Sequence, residues 1–257
     1  MPVKFPDLSN TLVLIPAFNE EKNLSHVITQ LKRDLGMNPS QLILADDGSS
    51  DFTSLIAREL GIRIIRSPSN QGKGYMLHQA FQVIVNHFPN FKWVTTLDGD
   101  GQHDHKDIPR LVRTLKNDKS LGIVIGKRDF TIMPHINRIS NKLTSTWCVN
   151  WLHWDVPDIQ CGFRAYRTSA LHQILEYGPS TRKFEFETEL LFITWLLDLK
   201  ITSIPIRTVY FQNHRKSNVV PIIDTLRWVK LAFHFGFKPQ FIRKMWKQKK
   251  LRKMRIS

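Results

Sequence analysis

Apolar, β-rich runs alternate with helix-patterned segments through the first 206 residues of this 257-residue chain, and that alternation limits its possible folds more than any other feature. Thr11 to Phe18 reads TLVLIPAF, and Leu24, Val27, Ile28, Leu31 and Leu35 follow at helical spacing. The pattern repeats with a strand at Gln41 to Ala45, a helix after Ser50, a strand at Ile62 to Arg66, and a helix through Leu77, Ala80, Phe81, Ile84 and Val85. Lys92 to Asp98 (KWVTTLD) then reads as a strand, Ile108 to Leu115 as a helix, and Gly122 to Gly126 (GIVIG) as a short strand. Strand–helix–strand order predicts an α/β fold with a mainly parallel sheet flanked by helices. Regularity weakens from Thr131 to Val156. A hydrophobic content of 42% is enough to bury a full core.

An open parallel sheet binds ligands beyond the carboxyl ends of its strands, so the residues after each apolar run are the ones to read for chemistry. They are strongly polar. The first strand is followed by Asn19, Glu20 and Glu21, the second by Asp46, Asp47, Gly48, Ser49 and Ser50, and the fourth by Asp98, Gly99, Asp100, Gly101, Gln102, His103 and Asp104. Three acidic clusters are therefore expected at one sheet edge.

Asp98 and Asp100 stand two apart at a strand end, where alternate side chains point the same way. Two carboxylates there suit a hard divalent ion, Mg²⁺ or Mn²⁺, with the Gln102 amide oxygen as a third ligand. No GxGxxG or Walker-type lysine loop occurs. Lys73, in QGKG (Gln71 to Gly74), is the nearest equivalent, and its glycines precede a helix where a phosphate or nucleotide could be met; a plain helix-start turn accounts for it as well. Glu185, Glu187 and Glu189 could include a general base, or could belong to a loop entering the apolar helix Leu190 to Leu199. His103 and His105 read as surface or hydrogen-bonding groups, since the hard-metal ligand set is complete without them. Trp147, Trp151 and Trp154 read as packing residues of a core or a lipid-facing groove, and Cys161 is given no catalytic task. The only two cysteines, Cys148 and Cys161, build no disulfide framework, which fits a reducing compartment.

The ordered motifs resemble the metal-dependent family 2 glycosyltransferases of the GT-A fold, especially dolichyl-phosphate mannose synthases and bacterial polyprenyl-phosphate relatives. The resemblance runs over about residues 11–217 through IPAFNEEKNL, ADDGSSDFT, NQGKGYML, LDGDGQHD, GKRD, DIQCGFRAYR and RKSN. It implies that Pro16, Phe18 and Glu20 line the nucleotide base and ribose pocket and that Asp47 binds the base. Asp98, Asp100 and Gln102 would carry the metal and the donor diphosphate. Arg128, Arg138 and Arg164 would hold donor and acceptor phosphates, and Arg215 and Ser217 would lie near the donor. Asn218 stands where the family often has lysine. In an inverting reaction of this kind a sugar-hydroxyl acceptor needs a carboxylate such as Glu187 to take its proton. A lipid phosphate is already anionic and needs arginines to place it.

The formal net charge of +15 is unevenly placed. Residues 1–206 carry 23 Lys and Arg against 21 Asp and Glu, whereas residues 207–257 carry 14 against Asp224 alone. A nucleic-acid-binding protein would spread basic residues over its main domain, so that class is set aside. Val219 to Gly236 reads as an amphipathic helix, and Gln240 to Ser257 adds eight Lys and Arg interleaved with apolar side chains. Such a segment suits an anionic membrane surface; the alternative is that its first helix docks on the catalytic domain and the final residues form a solvated tail. The expected organisation is a catalytic domain over residues 1–218 and a basic membrane-associating tail over 219–257. The N-terminus shows no signal-peptide core, and no apolar run approaches the roughly 20 residues of a spanning helix. The expectation is thus an enzyme peripheral to the cytoplasmic face of a membrane. It would move a hexose from a nucleotide sugar, of GDP-mannose or UDP-glucose type, to a polyprenyl or dolichyl phosphate, or alternatively to a glycan hydroxyl.

Overall fold

The computed structural model describes residues 7–129, 131, 144–146, 156–208 and 221–244. Its centre is a seven-stranded sheet in the order β3-β2-β1-β4-β6-β5-β7. The strands are β1 (Thr11–Ala17), β2 (Leu42–Asp46), β3 (Arg63–Arg66), β4 (Trp93–Thr96), β5 (Leu121–Lys127), β6 (Arg164–Arg167) and β7 (Lys200–Pro205). Every pairing is parallel except those of β6, which runs against both β4 and β5.

Strand β1 is buried along its whole length, which is why it reads as an unbroken apolar run rather than an alternating one. Pro16 is tolerated in this central strand because the β1–β4 ladder covers only Thr11 to Leu14, so the missing amide costs no pairing there. The helices bury one stripe each: Leu24, Val27, Ile28 and Leu31 of α1 (Leu24–Leu35), and Ile108, Leu111, Val112 and Leu115 of α4 (Ile108–Asn117). Helices α2 (Thr53–Glu59), α3 (Lys73–His87) and α5 (Thr168–Tyr177) complete the flanks.

Helix α6 (Glu185–Leu196) differs from the reading that placed Glu185 to Glu189 ahead of an apolar helix. It begins at Glu185, and every residue from Phe186 to Trp195 is buried. Helix α7 (Pro221–Gly236) lies against it through Trp228, Leu231, Ala232 and Phe235, joined by Phe241 from the helical segment 239–244. The Phe192 and Phe235 rings are 5.1 Å apart, and those of Trp195 and Phe241 are 4.8 Å apart. Lys244 donates to the carbonyls of Trp195 and Leu196 at the end of α6 and pairs with Asp198 at 2.5 Å. The inner face of the C-terminal segment is thus part of the core, while Leu226, Phe233, Phe237 and Ile242 stand exposed. Among the described residues no helix is long and apolar enough to cross a membrane.

Candidate active site

The strand order reverses at β1, with β2 and β3 on one side and β4 on the other, and this is where an open sheet leaves a crevice. Two loops build its first wall. Asn19, in the left-handed region at φ 57°, accepts from the Ser50 amide at 2.8 Å, and the Glu20 amide donates to Thr53 Oγ1 at 2.8 Å. Buried Asp46 accepts from the Ser49 amide and the Ser54 hydroxyl, fixing the turn after β2. Pro16 is buried, and Phe18 and Glu20 are half-buried beside this turn.

Asp47 accepts from the backbone amides of Gln71 and Gly72, at 2.7 and 2.8 Å. Burial raises its carboxyl above the ordinary value, against the pull of those two amides. Its direct role in the structure is to hold the QGKG turn at the head of α3. Gly74 lets that turn meet α6, since a Cβ there would stand 2.4 Å from the Lys183 carbonyl oxygen and 2.5 Å from Phe186 Cβ.

The close approach of α3 and α6 brings Lys73 into the acidic cluster. Its Nζ lies 2.7 Å from Asp98 Oδ1 and 3.4 Å from Glu187 Oε2. Burial works against the ammonium, but Asp98 and Glu187 outweigh it and hold Lys73 above the ordinary lysine value. Asp98 moves down: burial opposes its charge and the Lys73 cation overcomes that. Asp100 has no such partner, and burial followed by the neighbouring Asp98 charge pushes it up to about 7. Asp100 Oδ1 accepts the Gln102 amide at 3.0 Å, which closes the turn.

Glu187 of KFEFETE parts from Glu185 and Glu189, because a spacing of two on a helix sends side chains to opposite faces. Glu187 faces Lys73, and its second oxygen, Oε1, is buried with no hydrogen-bond partner among the described residues. Glu189 accepts from the amides and hydroxyls of Ser180 and Thr181, at 2.6 to 3.2 Å, and so pins the loop before α6.

Because β6 is reversed, the loop ahead of it reaches the same edge as the loops that follow the parallel strands. There Arg128, just after β5, binds Asp158 side-on through Nε at 2.8 Å and Nη2 at 2.9 Å, with about a fifth of the arginine side chain exposed. Arg164 departs from the expectation of a phosphate contact. It is fully buried, and its guanidinium donates to the carbonyls of Cys161 (2.7 Å), Glu187 (2.6 Å) and Ile159 (2.7 Å). A cation spent on three carbonyls beneath the surface positions the loop and the first turn of α6. His105 is buried and bonded to Asp34 at 3.0 Å, not a surface group. His103 packs against Phe163 with ring centroids 5.2 Å apart, and burial lowers its ring to about 4. Cys161 is buried, and burial pushes its thiol up to about 12. Arg138, Arg215, Ser217, Asn218 and the tryptophans Trp147, Trp151 and Trp154 lie outside the described residues. Asp158 and the Lys73–Glu187 contact were not anticipated; the acid immediately ahead of the IQCGFR run is the only sequence signal for the former.

Residues 12–175 match the family model described as glycosyl transferase family 2. The chain belongs to glycosyl transferase family 2. An uncharacterized protein of Methanocaldococcus jannaschii is 31% identical over 214 residues, covering 81% of this chain and 86% of that protein. The UDP-N-acetylglucosamine–dolichyl-phosphate N-acetylglucosaminyltransferase of Methanococcus voltae is 29% identical, covering 81% of this chain and 90% of that one. Among solved structures, glucosyl-3-phosphoglycerate synthase from Mycobacterium tuberculosis, in complex with Mn²⁺, UDP and phosphoglyceric acid, superposes with a TM-score of 0.65 at 19% identity. That superposition covers 90% of this chain and 78% of the other, and shows the GT-A fold. This family 2 glycosyltransferase therefore carries its acidic cluster at the switch point of a GT-A sheet.

Do its residues fit a divalent ion? Among the described residues no three His, Cys, Asp or Glu side chains are arranged to hold one. Two neighbouring carboxylates, one of them pushed up to about 7 by burial and then by the other's charge, lie beside a buried oxygen of Glu187 that has no hydrogen-bond partner among the described residues, and together they suit a cation. Mg²⁺-type ions commonly take only one or two carboxylates and complete their shell with substrate phosphates and water.

Proposed function

We propose that this enzyme transfers a hexose from a nucleoside-diphosphate sugar to a polyprenyl or dolichyl phosphate at the cytoplasmic face of a membrane, with Mg²⁺ or Mn²⁺ at Asp98, Asp100 and Gln102. The observation that carries the reading is the half-buried Asp98–Asp100 pair at the switch point, with its excess negative charge. The Methanococcus voltae relative is named for a dolichyl-phosphate acceptor, and the Mycobacterium tuberculosis structure holds Mn²⁺ with UDP; both support the assignment.

A bound divalent ion supplies charge neutralisation to the departing diphosphate. Pro16, Phe18 and Glu20 line the nucleotide pocket, and Asp47 serves it by holding the QGKG turn in place. Arg128, fixed by Asp158, presents positive charge for a phosphate, and Arg138, Arg215 and Ser217 are assigned to the same phosphates. In the transfer step an acceptor phosphate oxygen forms the new bond to the anomeric carbon as the bond to the donor diphosphate breaks. No proton moves, because the nucleophile is already an anion. The rim favours this acceptor over a sugar hydroxyl: Glu187 is already engaged by the Lys73 ammonium, and the Arg128 guanidinium suits an anion.

The C-terminal segment associates with the bilayer through its outer face. Leu226, Phe233, Phe237 and Ile242 are exposed beside Arg227, Lys230, Lys238 and Arg243, a combination of apolar and cationic groups that suits an anionic leaflet. A panel of nucleotide sugars offered with a short-chain prenyl phosphate tests the function. Formation of a prenyl-phosphate hexose that depends on Mg²⁺ or Mn²⁺ is expected. Transfer only to glycan hydroxyls, with none to prenyl phosphate, would overturn the acceptor assignment.

A further inference from the structure

Lys73 contacts the same carboxylate that a divalent ion needs, Asp98, through a 2.7 Å ion pair. Its side chain is 18% exposed, so the ammonium is largely enclosed with Asp98 and Glu187. A divalent ion on Asp98 would face that positive charge at close range, in a setting where water screens poorly. Relief is available on one side. Glu187 Oε2 is already 3.4 Å from the ammonium, and its other oxygen has no hydrogen-bond partner among the described residues. The space between them exists because residue 162 is glycine: a Cβ there would stand 2.7 Å from Lys73 Nζ, 3.0 Å from Asp98 Oδ2 and 3.3 Å from Glu187 Oε1.

We infer that Lys73 is a resident counter-ion of the metal site, held on Asp98 until a divalent ion and a diphosphate arrive together and move it toward Glu187 and the diphosphate. The inference rests on the assignment of Asp98 and Asp100 as metal ligands. Its consequence is ordered loading: metal alone competes with an internal cation and binds weakly, while metal with diphosphate is admitted because the added negative charge accommodates the ammonium. Lys73 is in this sense a positioning residue whose effect is on binding, before any sugar moves.

Binding of Mn²⁺ alone, read from the electron paramagnetic resonance signal of the free ion, tests this on full-length protein without any sugar donor. Lys73→Met is expected to tighten Mn²⁺ binding by about tenfold or more, a coupling of the usual size between two ligands of one site. In the parent protein UDP or GDP should tighten Mn²⁺ binding; in Lys73→Met that enhancement should shrink, and Lys73→Arg should stay close to the parent. Mn²⁺ binding to Lys73→Met that is no tighter than to the parent overturns the inference. Asp100→Asn separates the two levels: if it binds Mn²⁺ as well as the parent, the metal assignment itself fails. Should Lys73→Met not fold in EDTA, its melting transition should return at Mn²⁺ concentrations that leave the parent's transition unmoved, and failure to return counts against the inference.

Discussion

Arg128 and Asp158 form a closed fork: two guanidinium nitrogens meet the two carboxylate oxygens at 2.8 and 2.9 Å, and the Arg128 amide adds a third bond at 3.1 Å. The carboxylate has no exposed surface, and the arginine side chain is 21% exposed. Removing one member of a buried pair costs about 3 to 5 kcal/mol, because the other is left uncompensated. Arg128→Ala should therefore destabilise the protein more than Asp158→Ala, since it strands the more deeply buried charge. Denaturant unfolding of the two variants checks the order.

Asp100→Ala should leave the protein folded and abolish metal-dependent transfer. The side chain is half-buried and, among the described residues, hydrogen-bonded only within its own turn, so the core does not rely on it. Full activity in that variant, measured beside an unchanged melting transition, would remove Asp100 from the site.

The same carboxyl sets a pH dependence of stability in the metal-free protein. Unfolded, it titrates near pH 4; folded, burial and then Asp98 hold it up to about 7. Across that interval the folded state binds more protons, so this group makes stability fall as pH rises. Melting temperatures in EDTA should show Asp100→Asn gaining on the parent from about pH 4 to about 7 and levelling off above. Parallel curves across the interval would contradict the environment described for Asp100.

Gly162→Ala should impair metal and donor binding more than stability. The added methyl would meet the end of the flexible Lys73 side chain at 2.7 Å and the Asp98 carboxylate at 3.0 Å, groups of the site rather than the core. Isothermal titration with Mn²⁺ and UDP, set beside a melting curve, distinguishes this from a general loss of fold.

The two faces of α7 should respond oppositely to substitution. Phe235→Ala, on the buried face against Phe192, should cost about 3 to 5 kcal/mol. Replacing exposed Leu226, Phe233 and Phe237 together with serine should leave unfolding unchanged and reduce sedimentation with anionic liposomes. This is a cleaner test than truncation before residue 219, which would also strip Trp228, Leu231 and Phe235 from the core.

The parallel half of the sheet was legible because each buried strand is a continuous apolar run and each helix keeps a single stripe, as in β1 and α1. Strand β6 was not: RAYR is four residues long, and two of them are arginines. The acidic turns were legible from their position after strands. The fate of Arg164 was not, since a motif gives residue order but not depth, and only packing decides whether a guanidinium faces a phosphate or three backbone carbonyls. The place of the glutamates stayed open between a general base and a loop, because α6 is buried on nearly all sides and carries no polar stripe that would have extended the helix back to Glu185.

The reversal of β6 brings two directions of chain to one rim of the sheet. Residues 12–104 supply the acidic turns after β1, β2 and β4 in unbroken sequence, whereas residues 156–163 reach the rim as an inlet to a strand running the other way. The exit of β6 lies at the far end of the sheet, where Thr168 hydroxyl binds the Phe91 carbonyl at 2.8 Å. The inlet loop is consequently locked from several sides at once, with Asp158 on Arg128, the Gly162 carbonyl on Thr96 of β4, the Phe163 carbonyl on Gly126 of β5, and the Ile159 and Cys161 carbonyls on Arg164, so a change in this loop is felt in three neighbouring strands.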